Sequence, residues 1–182
     1  IDEVSSDREV VLLEELTEYC EGHDAIAETI GRASQHLTEM LQGSIDPVEV
    51  IFPQGSSSGV EVLYQEFSFG RYFNLIAAGI LRDLIRVYQQ QGRTLRILEV
   101  GGGTGGTTAW LLPVLVQMGT PVEYVFSDIT PLFTRRAMQK FAAYPFVRYQ
   151  ELDLQRDLLS QNIDPESFDL VIAANVIHAT QN

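Results

Sequence analysis

Apolar positions at Val10, Val11, Leu13, Leu16 and Tyr19 recur near a 3.6-residue period and predict a helix that Gly22 stops. The same period runs through Ala25–Leu41 at Ile26, Ile30, Ala33, Leu37 and Leu41, with Gly43 as a C-terminal stop signal. Asp46-Pro47 predicts a further short turn of helix, with proline at its first position. Phe52–Gly59 (FPQGSSSG) has little to bury and predicts a loop and an internal boundary. From Val60 to Gln91 the helical period returns, marked by Leu63, Phe67, Tyr72, Leu75, Ile76, Ile80, Leu84 and Val87, and Gly92 ends it. The pattern then changes. Leu95–Val100 is a short apolar, β-branched run, followed by a helix over Thr107–Met118 and a strand over Tyr124–Phe126. A helix over Leu132–Ala143, a strand over Phe146–Gln150 and a strand over Asp169–Ala173 complete the reading. Strands alternating with helices predict βαβ units and a parallel sheet.

Charge sharpens the boundary. The 182 residues carry 12 Lys+Arg against 25 Asp+Glu, a net of −13. Residues 1–66 hold fifteen acids and two bases, and residues 67–182 ten of each. An acidic leader thus precedes a neutral body. A sequence pI near 4.5 without a basic stripe argues against a nucleic-acid binder. No apolar run approaches the ~18–20 residues that span a bilayer, and no secretory signal is visible. Cys20 is the lone cysteine, which fits a reducing, cytoplasmic setting. No His/Cys/Asp/Glu cluster has metal-ligand spacing, so no metal site is expected.

The chemistry centres on Glu99-Val100-Gly101-Gly102-Gly103-Thr104-Gly105-Gly106, which follows a strand and opens a helix. Glycines let a ligand approach the backbone. Gly101, Gly103 and Gly106 satisfy a dinucleotide fingerprint, whereas Glu99, Gly101, Gly103 and Gly105 satisfy the loop of S-adenosylmethionine enzymes. A tight turn without a ligand is the third reading. Glu99 favours the second, because a carboxylate beneath the loop suits an ammonium and a sulfonium and opposes a pyrophosphate.

Asp128 closes the second strand, 27 residues after Gly101 and farther than the ~20 of the dinucleotide fingerprint, where it can accept both ribose hydroxyls. Asp153, with Leu154 beside it, closes the third strand and is placed to accept from an adenine amino group; Asn175 follows the fourth. All lie at the carboxyl ends of parallel strands, where open α/β sheets bind ligands. The alternatives are a helix cap for Asp128, a loop acid for Asp153 and a turn residue for Asn175. His178 follows the same strand, where an imidazole suits a general base.

EVGGGTGGTT, EYVFSDITPLF, KFAAYPFVRYQELD and FDLVIAANVIHAT together resemble the carbon-methyltransferase domain of modular type I polyketide synthases, continuously from about Val60 to Asn182. The resemblance implies a Rossmann-like class I methyltransferase core whose first four parallel strands run in the order 3-2-1-4. A mainly helical N-terminal lid over 1–58 would precede a cofactor-binding core over 59–182. It implies S-adenosylmethionine as cofactor and methylation of the α-carbon of a β-ketoacyl chain on an acyl carrier protein, beside neighbouring synthase domains. His178 would be the enolate-forming base, and the helix bearing Tyr72 and Asn74 would close over the cofactor. Arg135, Arg136 and Lys140 form a candidate landing site for an acidic carrier, their alternative being a solvated helix face. The family's core has seven strands, with a glutamate partner for the histidine on the fifth, and this chain ends after the fourth. Two readings follow: a fragment of an active enzyme, or a truncated, non-catalytic module of a megasynthase.

Overall fold

The computed structural model describes residues 24–53 and 68–180. The expected helix over Val10–Tyr19, the expected boundary at Gly55–Gly59 and the start of the helix from Val60 lie outside them. The chain divides into two compact units, Ile1–Gly70 and Arg71–Asn182.

The first unit contains α1 (Asp24–Gln35), α2 (Leu37–Gln42) and α3 (Pro47–Ile51). The single helix expected over Ala25–Leu41 is broken at His36, whose backbone leaves helical torsions (φ −103°, ψ 11°). The hydrogen-bond ladder continues across the break, from His36 N–H to Arg32 C=O and from Met40 N–H to His36 C=O. Gly43 ends α2 in the left-handed region (φ 70°) and Asp46 caps α3 by accepting from Val48 N–H at 2.9 Å, both as their residue types predict. Buried Ile26, Ala27 and Val50 join α1 to α3.

The second unit is a parallel sheet with helices. α4 (Ser68–Gln91) runs across the division at Gly70 and leads into β1 (Leu95–Val100). Then come α5 (Thr108–Met118), β2 (Val122–Asp128), α6 (Pro131–Lys140), β3 (Val147–Glu151) and β4 (Leu170–Ala173). All three pairings are parallel, in the order β3-β2-β1-β4. This is the strand order of a class I methyltransferase core. α6 ends three residues before the expected Ala143, because Phe141 turns inward as a buried cap. One-turn 3₁₀ segments at Leu159–Gln161 and Ile177–Ala179 were beyond the reach of periodicity.

Alternation along β1 sends Leu95 and Ile97 to one face, where they pack with Tyr124, Phe126, Leu111, Leu115 and Ile85. Leu98 and Val100 go to the other, with Val125, Leu152 and Ile163. Burial on both faces is what a central parallel strand requires. β1 is the switch point: the chain leaves it toward β2 and β3 on one side and returns to β4 on the other. Ligands of such sheets bind outside the carboxyl ends of the strands there.

Asp169 fixes the entry to β4. Its carboxylate accepts from Arg96 N–H (2.9 Å), Arg96 Nε (3.2 Å), Arg96 Nη2 (3.2 Å) and Arg93 Nη2 (3.3 Å), while Asp169 N–H donates to Arg96 C=O. The Arg96 hydrogen bonds hold the Asp169 carboxyl below its ordinary range, against the opposing effect of burial. Such a group contributes stability that is complete above the unfolded value of about 3.9 and is lost as pH falls through the lower native one. Asp169→Asn should therefore cost stability at pH 7, and the gap from the wild type should narrow at about pH 3, measured by urea unfolding. A gap independent of pH would contradict this role.

Candidate active site

Glu99 lies at the end of β1 on the same face as Leu95 and Ile97, and is 1% exposed. Its Oε2 accepts from Thr108 Oγ1 at 2.6 Å and from Tyr124 OH at 2.7 Å, both donors fully buried. Burial raises the Glu99 carboxyl above the ordinary glutamate range, the two hydrogen bonds oppose this, and the Asp128 charge adds to it. The same desolvation, with the nearby Glu99 charge, pushes Tyr124 well above its usual value. Ser127 Oγ donates to the Glu99 carbonyl at 2.7 Å. Glu99 thus stands under the loop, tied to the first turn of α5 and to β2, and does not line the open cleft.

The glycine loop is shaped by packing as well as by space for a ligand. A Cβ on Gly101 would lie 2.3 Å from Val176 Cγ2, one on Gly102 2.3 Å from the Phe126 ring, and one on Gly105 2.6 Å from the Phe141 ring. These positions are filled by the protein itself. Gly103 differs: its φ is +54°, and the nearest atom to an added Cβ is the Gly101 carbonyl oxygen at 3.9 Å. Gly103 N–H donates to Asp128 Oδ2 at 2.9 Å, and Thr130 N–H donates to Asp128 Oδ1 at 2.9 Å. Asp128, 6% exposed, therefore ties the loop to β2 while its remaining lone pairs stay available.

A cleft of about 190 Å³ opens beside the loop, and Gly101, Asp128, Asp153, Leu154 and Asn175 line it, with Val176 and Thr180. Five of the eight predicted cofactor residues are thus brought together. Glu99, Gly103 and Gly105 are not in its lining. Asn175 adopts φ 55°, a left-handed conformation that asparagine tolerates. His178 sits exposed on the 3₁₀ turn between Val176 and Thr180.

Asn74, on the helix expected to close over the cofactor, is 6% exposed and its Oδ1 accepts from Thr107 Oγ1 at 3.0 Å, joining α4 to the start of α5. Tyr72 is 60% exposed and meets Phe73 edge-on. Of the candidate landing residues on α6, Arg135 and Lys140 are exposed and Arg136 is partly buried; Lys140 Nζ donates to the Thr104 carbonyl at 3.1 Å beside the Phe141 ring. Tyr124, Thr108 and Gly102 were missed. Strand parity could have found Tyr124, since it shares a face with Glu99's register partner Phe126. Among the described residues no group of three His, Cys, Asp or Glu side chains could hold a metal ion.

Residues 98–182 match the model of a methyltransferase domain. The chain is 35% identical to the CurJ carbon methyltransferase, with a TM-score of 0.84 over 95% of this chain and 45% of that one. It is similar to the carbon-methyltransferase domains of polyketide synthases. Polyketide synthase ThaG of Burkholderia thailandensis is 39% identical over 87% of this chain and 3% of its own length. The trans-methyltransferase CalH, solved in complex with SAH, is 31% identical with a TM-score of 0.71, over 97% of this chain and 48% of that one. The chain thus spans under half of these two solved methyltransferases and a small fraction of the synthase. Within the glycine loop, Gly102 and Gly103 carry different burdens. Gly102→Ala should destabilise by about 1–3 kcal/mol through overlap with buried Phe126. Gly103→Ala meets only the left-handed strain of about 1–2 kcal/mol and should show full-length, soluble expression. Urea unfolding that ranked Gly103→Ala as much the worse would contradict the packing assignment.

Proposed function

We propose that this chain binds S-adenosylmethionine in the Asp128–Asp153–Asn175 cleft. It then supports transfer of the methyl group to the α-carbon of a β-ketoacyl chain held by an acyl carrier protein. The observation that carries the reading is the convergence of those residues and Gly101 on one cleft at the carboxyl ends of β1–β4. The spare capacity of Asp128 suits ribose hydroxyls, and Asp153 suits an adenine amino group. The bound cofactor supplies an electrophilic methyl on a sulfonium. Gly103, whose Cβ position is open, is where a ligand can approach the loop backbone most closely. Glu99 contributes a buried negative charge below that point, and a charge in a low-dielectric site acts over a longer range than one in water.

His178, exposed between two cleft-lining residues, takes the α-proton, leaving an enolate whose carbon attacks. That proton lies between two carbonyls and is within reach of an imidazole base. Holding both reactants in one cleft contributes about 7–11 kcal/mol toward the barrier. The acidic leader repels an acidic carrier, and Arg135 and Lys140 are exposed cations on α6 that can face one. A non-catalytic module has less support, because the loop, both aspartates and His178 are all present.

Two outcomes follow. His178→Ala should lower methyl transfer by about 10²-fold or more with cofactor affinity retained, read by product mass and by calorimetry. A variant that keeps its rate removes the base assignment. Glu99→Gln keeps an acceptor for Thr108 and Tyr124 but removes the buried charge. Because the native Glu99 value is raised, ionisation costs stability as pH climbs from the ordinary glutamate range to the native one, and above it the cost stays. The glutamine variant should therefore be no less stable at neutral pH, yet should lose preference for S-adenosylmethionine over the uncharged-sulfur S-adenosylhomocysteine. An unchanged preference would separate Glu99 from the cofactor's charge.

A further inference from the structure

The segment after β3 has neither strand nor α-helix from Leu152 to Leu158, so its backbone groups need partners from elsewhere. One side chain supplies several of them. Gln161 Oε1 accepts from Asp153 N–H at 2.8 Å, and Gln161 Nε2 donates to Asp153 C=O at 2.9 Å. The Gln161 amide therefore pairs with both backbone groups of Asp153, as a peptide on a neighbouring strand would. Nε2 also reaches Asp157 C=O at 3.2 Å and Arg156 C=O at 3.4 Å. The Gln161 carbonyl is in turn clasped by Gln150 Nε2 from β3. Leu152, 3% exposed, and Leu154 pack into the core on either side of Asp153, whereas Leu158 and Leu159 farther along are 40% and 58% exposed, so the clamp adds polar fixing of the Asp153 peptide to apolar anchoring of its neighbours.

Gln161 does not line the cleft; it lines a neighbouring cavity of about 400 Å³ that shares Ile129, Leu152 and Asp153 with it. Any effect on a ligand must pass through Asp153. The Asp153 carboxylate has one oxygen engaged by Gln155 N–H at 2.9 Å, so the direction of its free lone pairs follows the backbone that Gln161 holds.

We propose that Gln161 is a positioning residue for base selectivity, orienting Asp153 toward the exocyclic amino group of adenine. This rests on the reading of the cleft as an adenosyl site. An aspartate fixed in that pose accepts from adenine and repels the carbonyl of hypoxanthine. With the clamp removed, the carboxylate samples other directions and the discrimination fades.

The test is competition binding of S-adenosylhomocysteine and S-inosylhomocysteine to the intact protein. The wild type should prefer the adenosyl compound by about tenfold or more, as one hydrogen bond to a charged group allows. Gln161→Leu, similar in size, should bring the ratio close to one. Gln161→Glu keeps the acceptor for Asp153 N–H but sets a carboxylate oxygen against three carbonyls, and should do the same. It carries the test if the leucine variant is unstable. General destabilisation would lower the folded fraction for both ligands alike and leave the ratio unmoved. Asp153→Ala separates the levels. If it abolishes discrimination while both Gln161 variants keep it, the Gln161 assignment is overturned and the adenosyl cleft stands. If the wild type binds neither compound, or binds both equally, the adenine reading of Asp153 falls and the proposal with it.

Discussion

A carboxylate buried at 1% exposure governs this site. Removing a charge from water is costly unless hydrogen bonds replace the lost solvation. Glu99 obtains those bonds from Thr108 on α5 and Tyr124 on β2. The requirement works in both directions. Glu99 needs its donors, so the first turn of α5 is held against the sheet and the loop between β1 and α5 has fixed ends. Thr107, next to Thr108, is held from the other side by Asn74 on α4. Two adjacent threonines thus tie α4 and β1 to the start of α5, and Tyr124 brings β2 to the same carboxylate.

The loop above that anchor is a compromise between packing and access. Val176, Phe126 and Phe141 occupy the space that side chains at Gly101, Gly102 and Gly105 would need, and Gly103 alone faces open space among these four. Asp128 completes the structure by accepting from Gly103 and Thr130 backbone N–H groups with different oxygens. The carboxylates of Glu99 and Asp128 serve different ends: one is satisfied internally, the other borders the cleft with capacity left for a ligand. Strand order concentrates the result. Since β1 sits between β2 and β4, the residues after all four strands face a common crevice, and Asp153 and Asn175 reach it from opposite sides of the sheet.

Much of this was legible in the residues. Alternating periods identified four strands and the helices between them, and Gly43, Asp46 and Pro47 act as their types predict. That Asp128, Asp153 and Asn175 would meet at one cleft was legible because strand ends are visible in sequence and open α/β sheets form their crevice there. What stayed hidden depended on contacts across the chain. Glu99 was expected beneath the loop, but its buried donors were not visible, since Tyr124 lies 25 residues away. Glycines read as space for a ligand were partly space for Val176 and Phe141, whose proximity only the fold creates. The hydrogen bond from Thr107 to Asn74 was hidden because the two residues lie 33 apart in the chain. Gln161 gave no signal at all, since it recognises backbone groups, which every residue has. The break at His36 escaped because periodicity sees side chains and not torsions.

The site joins an anchored loop, two acids and an asparagine at one cleft, and an exposed histidine beside it, in a fold shared with polyketide synthase carbon methyltransferases. The most direct measurement is transfer of an isotopically labelled methyl group from S-adenosylmethionine to a carrier-bound β-ketoacyl chain by the intact protein, with the labelled atom located by mass fragmentation or NMR. The account predicts label on the α-carbon between the two carbonyls, with S-adenosylhomocysteine formed in equal amount. Label on oxygen or nitrogen, or cofactor left unconsumed in the presence of the acceptor, would contradict it.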